Sequence, residues 1–276
     1  MAAITVIIPT FNRAWKVVRA ISSVLFQTFT DFELIVVDDG STDGTKMGLA
    51  QFARQITYIV HSSNLGVSAA RNTGIRRSKA PLIAFLDSDD YWLPQKLAMQ
   101  LEFFKRHPKA IICQTEEIWI RKNHRVNPKK RHKKPSGDIF KPSLSLCLVS
   151  PSAVMLKKSI FEEIGLFDED LPACEDYDLW LRISCRYPVS LIKKPLIVKE
   201  GGHPDQLSAM YRGMDQFRIK SLVKLIKTGA LNKNQLKATM EELSKKCRIY
   251  GNGCIKREKK AEGEHYLQLP ETLSLL

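Results

Sequence analysis

The stretch Leu82-Ile83-Ala84-Phe85-Leu86-Asp87-Ser88-Asp89-Asp90-Tyr91-Trp92 passes from five apolar residues directly into three carboxylates within four positions. The apolar run is short and continuous, which predicts a strand buried on both faces. Carboxylates crowded at a strand end repel one another, and a divalent cation relieves that repulsion. In an extended chain Asp87 and Asp89 point to the same side, so their spacing predicts a metal site. An isolated motif of this kind equally fits a solvated acidic turn that caps the helix beginning near Pro94.

Strands and helices alternate in the chain before this stretch. The β-branched run Ile4–Ile8 and the run Glu33–Val37 predict buried strands, and apolar residues at helical spacing predict a helix at 14–28 between them. The same reasoning predicts further helices at 45–55 and 67–78 and further strands at 57–61 and 81–86. This alternation predicts an α/β fold with a mostly parallel central sheet flanked by helices, with ligands bound beyond the carboxyl ends of the strands.

The rest of the chain divides into three kinds of sequence. The first continues the α/β pattern, with helices predicted at 94–106 and 178–186 and strands at 110–114, 189–192 and 196–198. The second is the polar segment 121–142, which contains the basic run 129–134 and predicts a solvated loop. The third begins near residue 208 and predicts basic helices with a break at Gly229.

These differences suggest a division into two parts. We expect an α/β domain over residues 1–207, with a first part to about residue 115 and a second part over 116–207. The remainder, residues 208–276, is expected to form a basic helical C-terminal extension.

Composition narrows the class of protein. The 276 residues are 44% hydrophobic and 26% charged, as in ordinary globular domains, and the six cysteines show no zinc-ligand spacing. The formal net charge of +14 predicts an anionic partner, whether a nucleic acid, a phosphorylated substrate or an acidic membrane. No apolar run approaches the roughly 18 residues of a membrane span. We therefore expect a cytoplasmic protein, with peripheral contact to the inner face of the membrane as a further expectation.

Several other polar residues carry both a structural and a functional interpretation. Glu175 and Asp176 open a helix, where the helix dipole stabilises negative charge, and this suits either capping or acceptance of a proton. Asp39 lies in a good turn sequence, and Arg71 fits an ion pair. His203 alone is ordinarily a surface or core histidine.

Taken in order, these pieces resemble family 2 of the glycosyltransferases, which have the GT-A fold. The resemblance covers roughly residues 3 to 208, and its motifs are Pro9 to Arg13, Val37 to Ser41, Gly66 to Asn72, Asp87 to Asp90, Glu175-Asp176 and His203 to Ser208. It implies an inverting enzyme that moves a sugar from a nucleoside-diphosphate sugar, most simply a UDP-sugar, to a hydroxyl of a saccharide or lipid-linked acceptor. Such a reaction belongs to the synthesis of cell-surface polysaccharides or glycans. The resemblance also implies that residues 1–207 form the catalytic domain, with a donor-binding part to about residue 115 and an acceptor part over 116–207.

The resemblance also implies roles for the residues that bind the donor. Thr10 and Phe11 lie against the nucleotide base, and Asp39 accepts a hydrogen bond from its imide, which suits uracil or thymine. Arg71 lies near the diphosphate, where a guanidinium offsets phosphate charge. Asp87 lies near the ribose and the sugar.

Metal binding and proton transfer complete the implied site. Asp89 binds Mn²⁺ or Mg²⁺ that bridges the diphosphate, and His203 supplies a further metal ligand. Asp176 is the general base that takes the proton of the acceptor hydroxyl.

Two other classes of protein compete with this interpretation. A nucleotidyltransferase that makes nucleotide sugars has a similar α/β site, but such enzymes usually carry a Gly-rich loop after the first strand, where this chain has Pro9 to Arg13. A nucleic-acid-binding protein fits the charge, but no nucleic-acid module is recognisable and no nucleic acid is expected as a partner. The basic run 129–134 and the C-terminal helices are expected either to be solvated or to lie against an anionic membrane.

Overall fold

A computed structural model of the protein describes residues 2–127, 129–202, 211 and 213–274. The predicted metal ligand His203 lies outside these ranges. The first half of the chain forms four parallel strands in the spatial order β3-β2-β1-β4. These are β1 (Ile4–Thr10), β2 (Phe32–Asp38), β3 (Thr57–Val60) and β4 (Leu82–Phe85).

Helices follow these strands, as the apolar periodicity predicts. They are α1 (Ala14–Leu25), α2 (Thr45–Leu49), α3 (Val67–Arg77) and α4 (Lys96–Arg106). The helix predicted at 45–55 is wrong in length, because α2 ends at Leu49 and a short 3-10 turn follows at Ala50–Phe52.

The second half extends the same sheet with mixed strand directions. β8 lies antiparallel between β4 and β6, while β9 runs parallel to β6 and antiparallel to β5. The strands are β5 (Tyr91–Trp92), β6 (Ile112–Arg121), β7 (His124–Val126), β8 (Val154–Lys157) and β9 (Val189–Gly201). The helices here are α5 (Phe140–Ser143), α6 (Ile160–Ile164) and α7 (Glu175–Ser184).

Three predictions for this half are corrected by the structure. The segment 121–142 is not simply a solvated loop, because β6 and β7 form a hairpin in it and Lys134 is nearly buried, 3.3 Å from a carboxylate oxygen of Glu117. The two strands predicted at 189–192 and 196–198 are one strand, β9, with an irregular register opposite residues 115–117 of β6. Helix α7 begins at Glu175, three residues before the predicted start, with Cys174 in the left-handed region at φ 64°.

The C-terminal region is helical, as predicted, and packs onto the α/β domain. It contains α8 (Asp215–Lys227), α9 (Lys233–Ile255) and α10 (Lys260–Ser274). The predicted break after α8 is confirmed by Gly229 at φ 66° and by Asn232, which caps α9 together with Gln235. Phe217 and Leu222 of α8 share an apolar cluster with Tyr177 of α7. Among the described residues, no helix has both the length and the apolar character needed to cross a membrane.

Candidate active site

A cleft of about 1100 Å³ opens where β1, β2 and β4 end, and the first turns of α7 and α8 line its other wall. The predicted site residues that the structure describes all line this one cleft: Thr10, Phe11, Asp39, Arg71, Asp87, Asp89 and Asp176. Their convergence follows from the topology, because the carboxyl ends of neighbouring parallel strands meet at one edge of the sheet.

Asp39 is fixed by the loop before α3. Its Oδ1 accepts a hydrogen bond from the backbone N–H of Leu65 at 2.9 Å and lies 2.7 Å from Nδ1 of His61. Its Oδ2 accepts the backbone N–H of Gly66 at 2.8 Å. Gly66 has φ 96°, a conformation that glycine adopts without strain. These three contacts orient the Asp39 carboxylate. Because a carboxylate has about four acceptor positions, one position is still available for a ligand.

Thr10 and Phe11 form the neighbouring part of the same wall. The side chain of Thr10 is 3% exposed, and its Oγ1 has no hydrogen-bond partner within the described part of the chain. Phe11 is 40% exposed at the rim. A buried hydroxyl without a partner is unfavourable by about 1–3 kcal/mol, so Thr10 is suited to hydrogen-bonding a ligand.

The acidic motif does not continue the strand. β4 ends at Phe85, and the backbone N–H of Asp90 donates to the carbonyl of Asp87 at 3.0 Å, so residues 87–90 form a tight turn. The prediction that Asp87 and Asp89 lie on one side of an extended strand end is therefore wrong, and the turn itself brings Asp87 and Asp89 to the cleft.

Asp90 is the carboxylate of this motif to which the sequence assigned no role of its own. It is only 3% exposed, and Ser152 donates its hydroxyl to Oδ2 at 2.7 Å. The same Ser152 oxygen accepts the backbone N–H of Asp87 at 3.1 Å. Burial raises the pKa of Asp90 well above its usual range, with the positive charge of Lys199 opposing this. Asp90 therefore holds the turn in place from within.

Two cations of the chain itself offset the repulsion between these carboxylates. Lys199 of β9 lines the cleft and donates to the hydroxyl of Ser150 at 3.2 Å. Burial lowers its pKa, but the charges of Glu117, Asp90 and the other two aspartates outweigh this effect and leave the pKa above its ordinary value. Lys199 already supplies positive charge beside these carboxylates. Their mutual repulsion alone therefore does not require a divalent cation.

Arg71 is the second of these cations, and it joins two distant parts of the cleft. Its Nη2 donates to Asp87 at 2.7 Å and its Nη1 donates to Glu175 at 2.6 Å. The guanidinium is 4% exposed, and its Nε has no partner in the described residues. Burial and the nearby charge of Asp176 raise the pKa of Glu175 to about 7, while Arg71 opposes the rise. Glu175, which the sequence indicated only as a carboxylate at a helix start, is therefore the residue that anchors the start of α7 to Arg71.

Asp176 lies one residue further along and faces the cleft half-buried. Its Oδ1 accepts the backbone N–H of Tyr177 at 2.7 Å, and the thiol of Cys147 lies 3.5 Å from Oδ2. Burial raises the pKa of Cys147 well above its usual range, so this thiol stays protonated and donates to the carboxylate. An oriented carboxylate that opens onto a cleft is chemically able to take a proton from a bound hydroxyl.

A family model described as glycosyl transferase family 2 matches residues 5–165, more than half of the chain. The chain belongs to glycosyltransferase family 2. An uncharacterized glycosyltransferase of Rickettsia conorii is 34% identical over 201 residues, covering 70% of this chain and 32% of the relative. The chain thus spans about a third of the length of that relative.

A second relative has a more specific name. The Escherichia coli UDP-Glc:alpha-D-GlcNAc-diphosphoundecaprenol beta-1,3-glucosyltransferase WfgD is 31% identical over 181 residues, covering 65% of this chain and 69% of that protein. Membership of the family favours a glycosyltransferase over the nucleotidyltransferase and nucleic-acid-binding alternatives.

Solved structures confirm the predicted GT-A fold. S. aureus TarS 1-349 in complex with UDP-GlcNAc superimposes with a TM-score of 0.68 at 16% identity, covering 97% of this chain and 91% of that one. The mannosyltransferase PcManGT of Pyrobaculum calidifontis, in complex with GDP-Man and Mn²⁺, gives 0.64 at 17% identity, covering 99% and 87%. At these identities the likeness concerns the fold alone.

The described side chains of this family 2 member do not form a metal site by themselves, but they fit a site that is shared with a substrate phosphate. Within residues 2–127, 129–202, 211 and 213–274, no three His, Cys, Asp or Glu side chains come together in a way that would hold a metal ion. Mg²⁺ and related ions are commonly bound by one or two carboxylates together with substrate phosphates. Asp87 and Asp89, on one turn at the cleft, fit that shared mode.

Proposed function

We propose that this chain transfers a sugar from a UDP-sugar, with inversion, to a hydroxyl of a lipid-linked saccharide in the synthesis of a cell-surface polysaccharide. The observation that carries the proposal is that one cleft gathers Thr10, Asp39, Asp87, Asp89 and Asp176, to which we assign nucleotide binding, diphosphate binding and proton transfer. A relative whose name gives UDP-Glc as donor and a diphosphoundecaprenol-linked saccharide as acceptor supports both substrate classes.

The donor end of the cleft is suited to a uracil base. Asp39, held by three contacts, has an acceptor position left for the imide N–H. The partnerless hydroxyl of Thr10 can bond a polar atom of the nucleotide, and Phe11 offers an apolar face at the rim. Asp87, held by Arg71, lies next in the cleft and is assigned to the ribose and sugar.

The diphosphate is assigned to the turn at residues 87–90. Asp89 would hold Mn²⁺ or Mg²⁺ jointly with the phosphate oxygens, with Asp87 beside it. The bound metal would supply positive charge that stabilises the departing nucleoside diphosphate. Both arms of Arg71 already bond carboxylates, so we assign this residue to positioning Asp87 and Glu175.

Asp176 is proposed as the general base. It takes the proton of the acceptor hydroxyl as that oxygen forms a bond to the anomeric carbon. The bond from that carbon to the diphosphate breaks at the same time, and its electron pair stays on the diphosphate oxygen. A single displacement from the opposite face inverts the anomeric centre. The bond from Cys147 restrains the carboxylate in the direction of the cleft.

The test begins with a screen of nucleotide sugars for hydrolysis and transfer in the presence of Mn²⁺, with NMR identification of the product anomer. With the active donor, Asp176→Asn should lower kcat about 10²- to 10⁴-fold while the donor Kd stays within about twofold. The matched acid-to-amide control is Glu102→Gln on the exposed face of α4, which should retain full activity. Wild-type turnover by Asp176→Asn would refute the assignment of the base, and a retained anomer would refute inversion.

We also propose that the enzyme binds peripherally to the cytoplasmic face of an anionic membrane. Lys129, Lys130, Arg131 and Lys133 are exposed in the basic run, whereas Lys134 is withdrawn into its pair with Glu117. Cosedimentation with phosphatidylglycerol vesicles should fall as salt is raised and should be weak with phosphatidylcholine alone. Equal binding to both vesicles would contradict the proposal.

A further inference from the structure

We propose that the acceptor half of the cleft, which is formed by β6, β9 and the starts of α7 and α8, recognises a phosphate group attached to the acceptor saccharide, and that Arg218 of α8 is the residue that binds it. This inference rests on the proposed function, because it concerns the second substrate of the same cleft. It gives the C-terminal extension, which lies beyond the family match at residue 165, a role in choosing the acceptor.

Helix α8 reaches the cleft through its first turn. The backbone oxygen of Met214 lies 3.9 Å from the thiol of Cys174, the residue directly before α7, so the two helix starts pack together. Met214 and Arg218 are four positions apart, on one face, and both line the cleft with Asp176. Arg218 therefore lies on the wall that carries the proposed base, whereas the donor-binding residues come from the ends of β1 and β2.

Arg218 is held in place but keeps unused donors. Its Nη1 donates to Asp215 at 3.0 Å, and Asp215 is shared with Lys246, whose Nζ lies 3.4 Å from the same oxygen. The Nε of Arg218 is buried and has no hydrogen-bond partner in the described chain. A guanidinium has five N–H donors in a rigid fork that matches the geometry of phosphate oxygens. A phosphate at this position would satisfy the buried donor.

A second arginine and two aromatic rings complete this half of the cleft. Arg121, exposed at the end of β6, forms no ion pair within the described ranges and lies 6.0 Å from the ring centroid of Trp119. Trp119 and Tyr211 both line the cleft and offer flat apolar faces of the kind that pack against sugar rings. Cations beside aromatic faces, next to a proposed base, fit a saccharide that carries a phosphate or a diphosphate.

The experiment compares three acceptor probes with the active UDP-sugar: a saccharide joined by a diphosphate to a short alkyl chain, the same saccharide as an uncharged alkyl glycoside, and the free sugar 1-phosphate. Arg218→Gln should raise the KM for the alkyl diphosphate about 10- to 100-fold. The KM for the uncharged glycoside and for the donor should be unchanged. Lys220→Gln, at an exposed cation on the same helix outside this cleft, is the matched control and should behave as wild type.

The sugar 1-phosphate identifies the source of the phosphate. A KM close to that of the alkyl diphosphate supports recognition of phosphate in general, and a much higher KM supports recognition of the diphosphate of a lipid carrier. If the wild type shows the same KM for charged and uncharged acceptors, the proposal is wrong. It is equally wrong if Arg218→Gln raises both values alike, since the residue would then only shape the cleft.

Calorimetric binding of the alkyl diphosphate in the presence of UDP separates this inference from the proposed function. The wild type should bind this probe at least tenfold more tightly than the uncharged glycoside, and Arg218→Gln should abolish the difference. If no sugar is transferred but this preference is present, the proposed function fails while the acceptor assignment stands. Equal binding of both probes to the wild type overturns the acceptor assignment whatever the activity.

Discussion

The two parts of the cleft that we propose for the donor and for the acceptor are built in different ways. The donor half comes from β1, β2 and β4, parallel neighbours whose ends carry Thr10, Asp39 and Asp87 in the order of the chain. The acceptor half combines the β6 and β9 strands, the start of α7 and the start of α8. The first half repeats one local unit, whereas the second depends on contacts between remote segments.

The two halves also differ in where their polar side chains find hydrogen-bond partners. In the donor half Asp39 is fixed by backbone N–H groups of one nearby loop, and Thr10 keeps a hydroxyl without a partner. In the proposed acceptor half, Lys199 of β9 donates to the hydroxyl of Ser150, 49 residues away in the chain, although the Nε of Arg218 has no partner in the described residues. The proposed donor half thus keeps polar atoms available for a ligand, and the proposed acceptor half is stabilised by internal pairs between remote segments. Arg71 connects the two.

The largest change in the free energy of unfolding should come from removing Arg71. Arg71→Met leaves the buried carboxylate of Glu175 and the partly exposed carboxylate of Asp87 without this partner, and removing one partner of a buried ion pair costs about 3–5 kcal/mol. Urea unfolding should show this loss of stability. In the double variant Arg71→Met/Glu175→Gln, much of the loss should be recovered, because one of the stranded charges is gone.

The matched control lies one turn further along α3. Arg76 pairs with Glu169 at 3.2 Å, but their side chains are 60% and 45% exposed. Because exposed pairs contribute about 0–1 kcal/mol, Arg76→Met should change stability little. Similar losses for Arg71→Met and Arg76→Met would show that the two halves of the cleft are not joined through Arg71.

Substitution of Lys96, which lies beneath the acceptor half, should give the next largest change in the free energy of unfolding. Its Nζ donates to Gln100 at 2.6 Å, and Gln100 in turn bonds the carbonyl of Ala153 at 3.1 Å, beside Ser152. Burial lowers the pKa of Lys96 from 10.5 to about 7. A difference of one pKa unit between the folded and unfolded chain corresponds to about 1.4 kcal/mol. Below pH 7, where Lys96 is protonated in both states, its burial therefore lowers the free energy of unfolding by up to about 5 kcal/mol.

The pH dependence follows from the lowered pKa. Between pH 7 and 10.5 the unfolded chain holds a proton on Lys96 that the folded chain lacks. The free energy of unfolding therefore rises with pH in this range, as the destabilising effect of the buried lysine is lost. Lys96→Met should be more stable than the wild type by about 2–4 kcal/mol at pH 6, with the gap closing towards pH 10. Urea unfolding at pH 6, 8 and 10 measures this gap. Lys105→Met, at an exposed position of the same helix, is the control, and a gap that does not vary with pH would contradict the assignment.

The same contrast explains what the sequence could and could not predict. The strands of the donor half and their terminal residues follow from local apolar runs, so Thr10, Asp39 and Asp87 are recognisable without a structure. The partners of Arg71 and Asp90 are not, because Glu175 and Ser152 lie 104 and 62 residues away. The turn at residues 87–90 depends on the Ser152 contacts, so an extended strand end was the natural but wrong expectation. The role of α8 lies outside the family motifs altogether.

The smallest change in stability is expected at Thr10, whose hydroxyl we propose bonds the nucleotide in the donor half. Thr10→Val removes a buried hydroxyl that has no partner, so the free protein should gain about 0.5–1 kcal/mol of stability while UDP binding weakens about 3- to 10-fold. The matched control is Thr5→Val on the same strand, because the Thr5 hydroxyl already bonds Glu33 at 2.5 Å. That variant should lose stability and keep its affinity for UDP. Thermal unfolding and calorimetric titration with UDP separate the two responses. If Thr10→Val binds UDP as tightly as the wild type, the hydroxyl is not part of the nucleotide site, and the donor half is less completely prepared for its ligand than its geometry indicates.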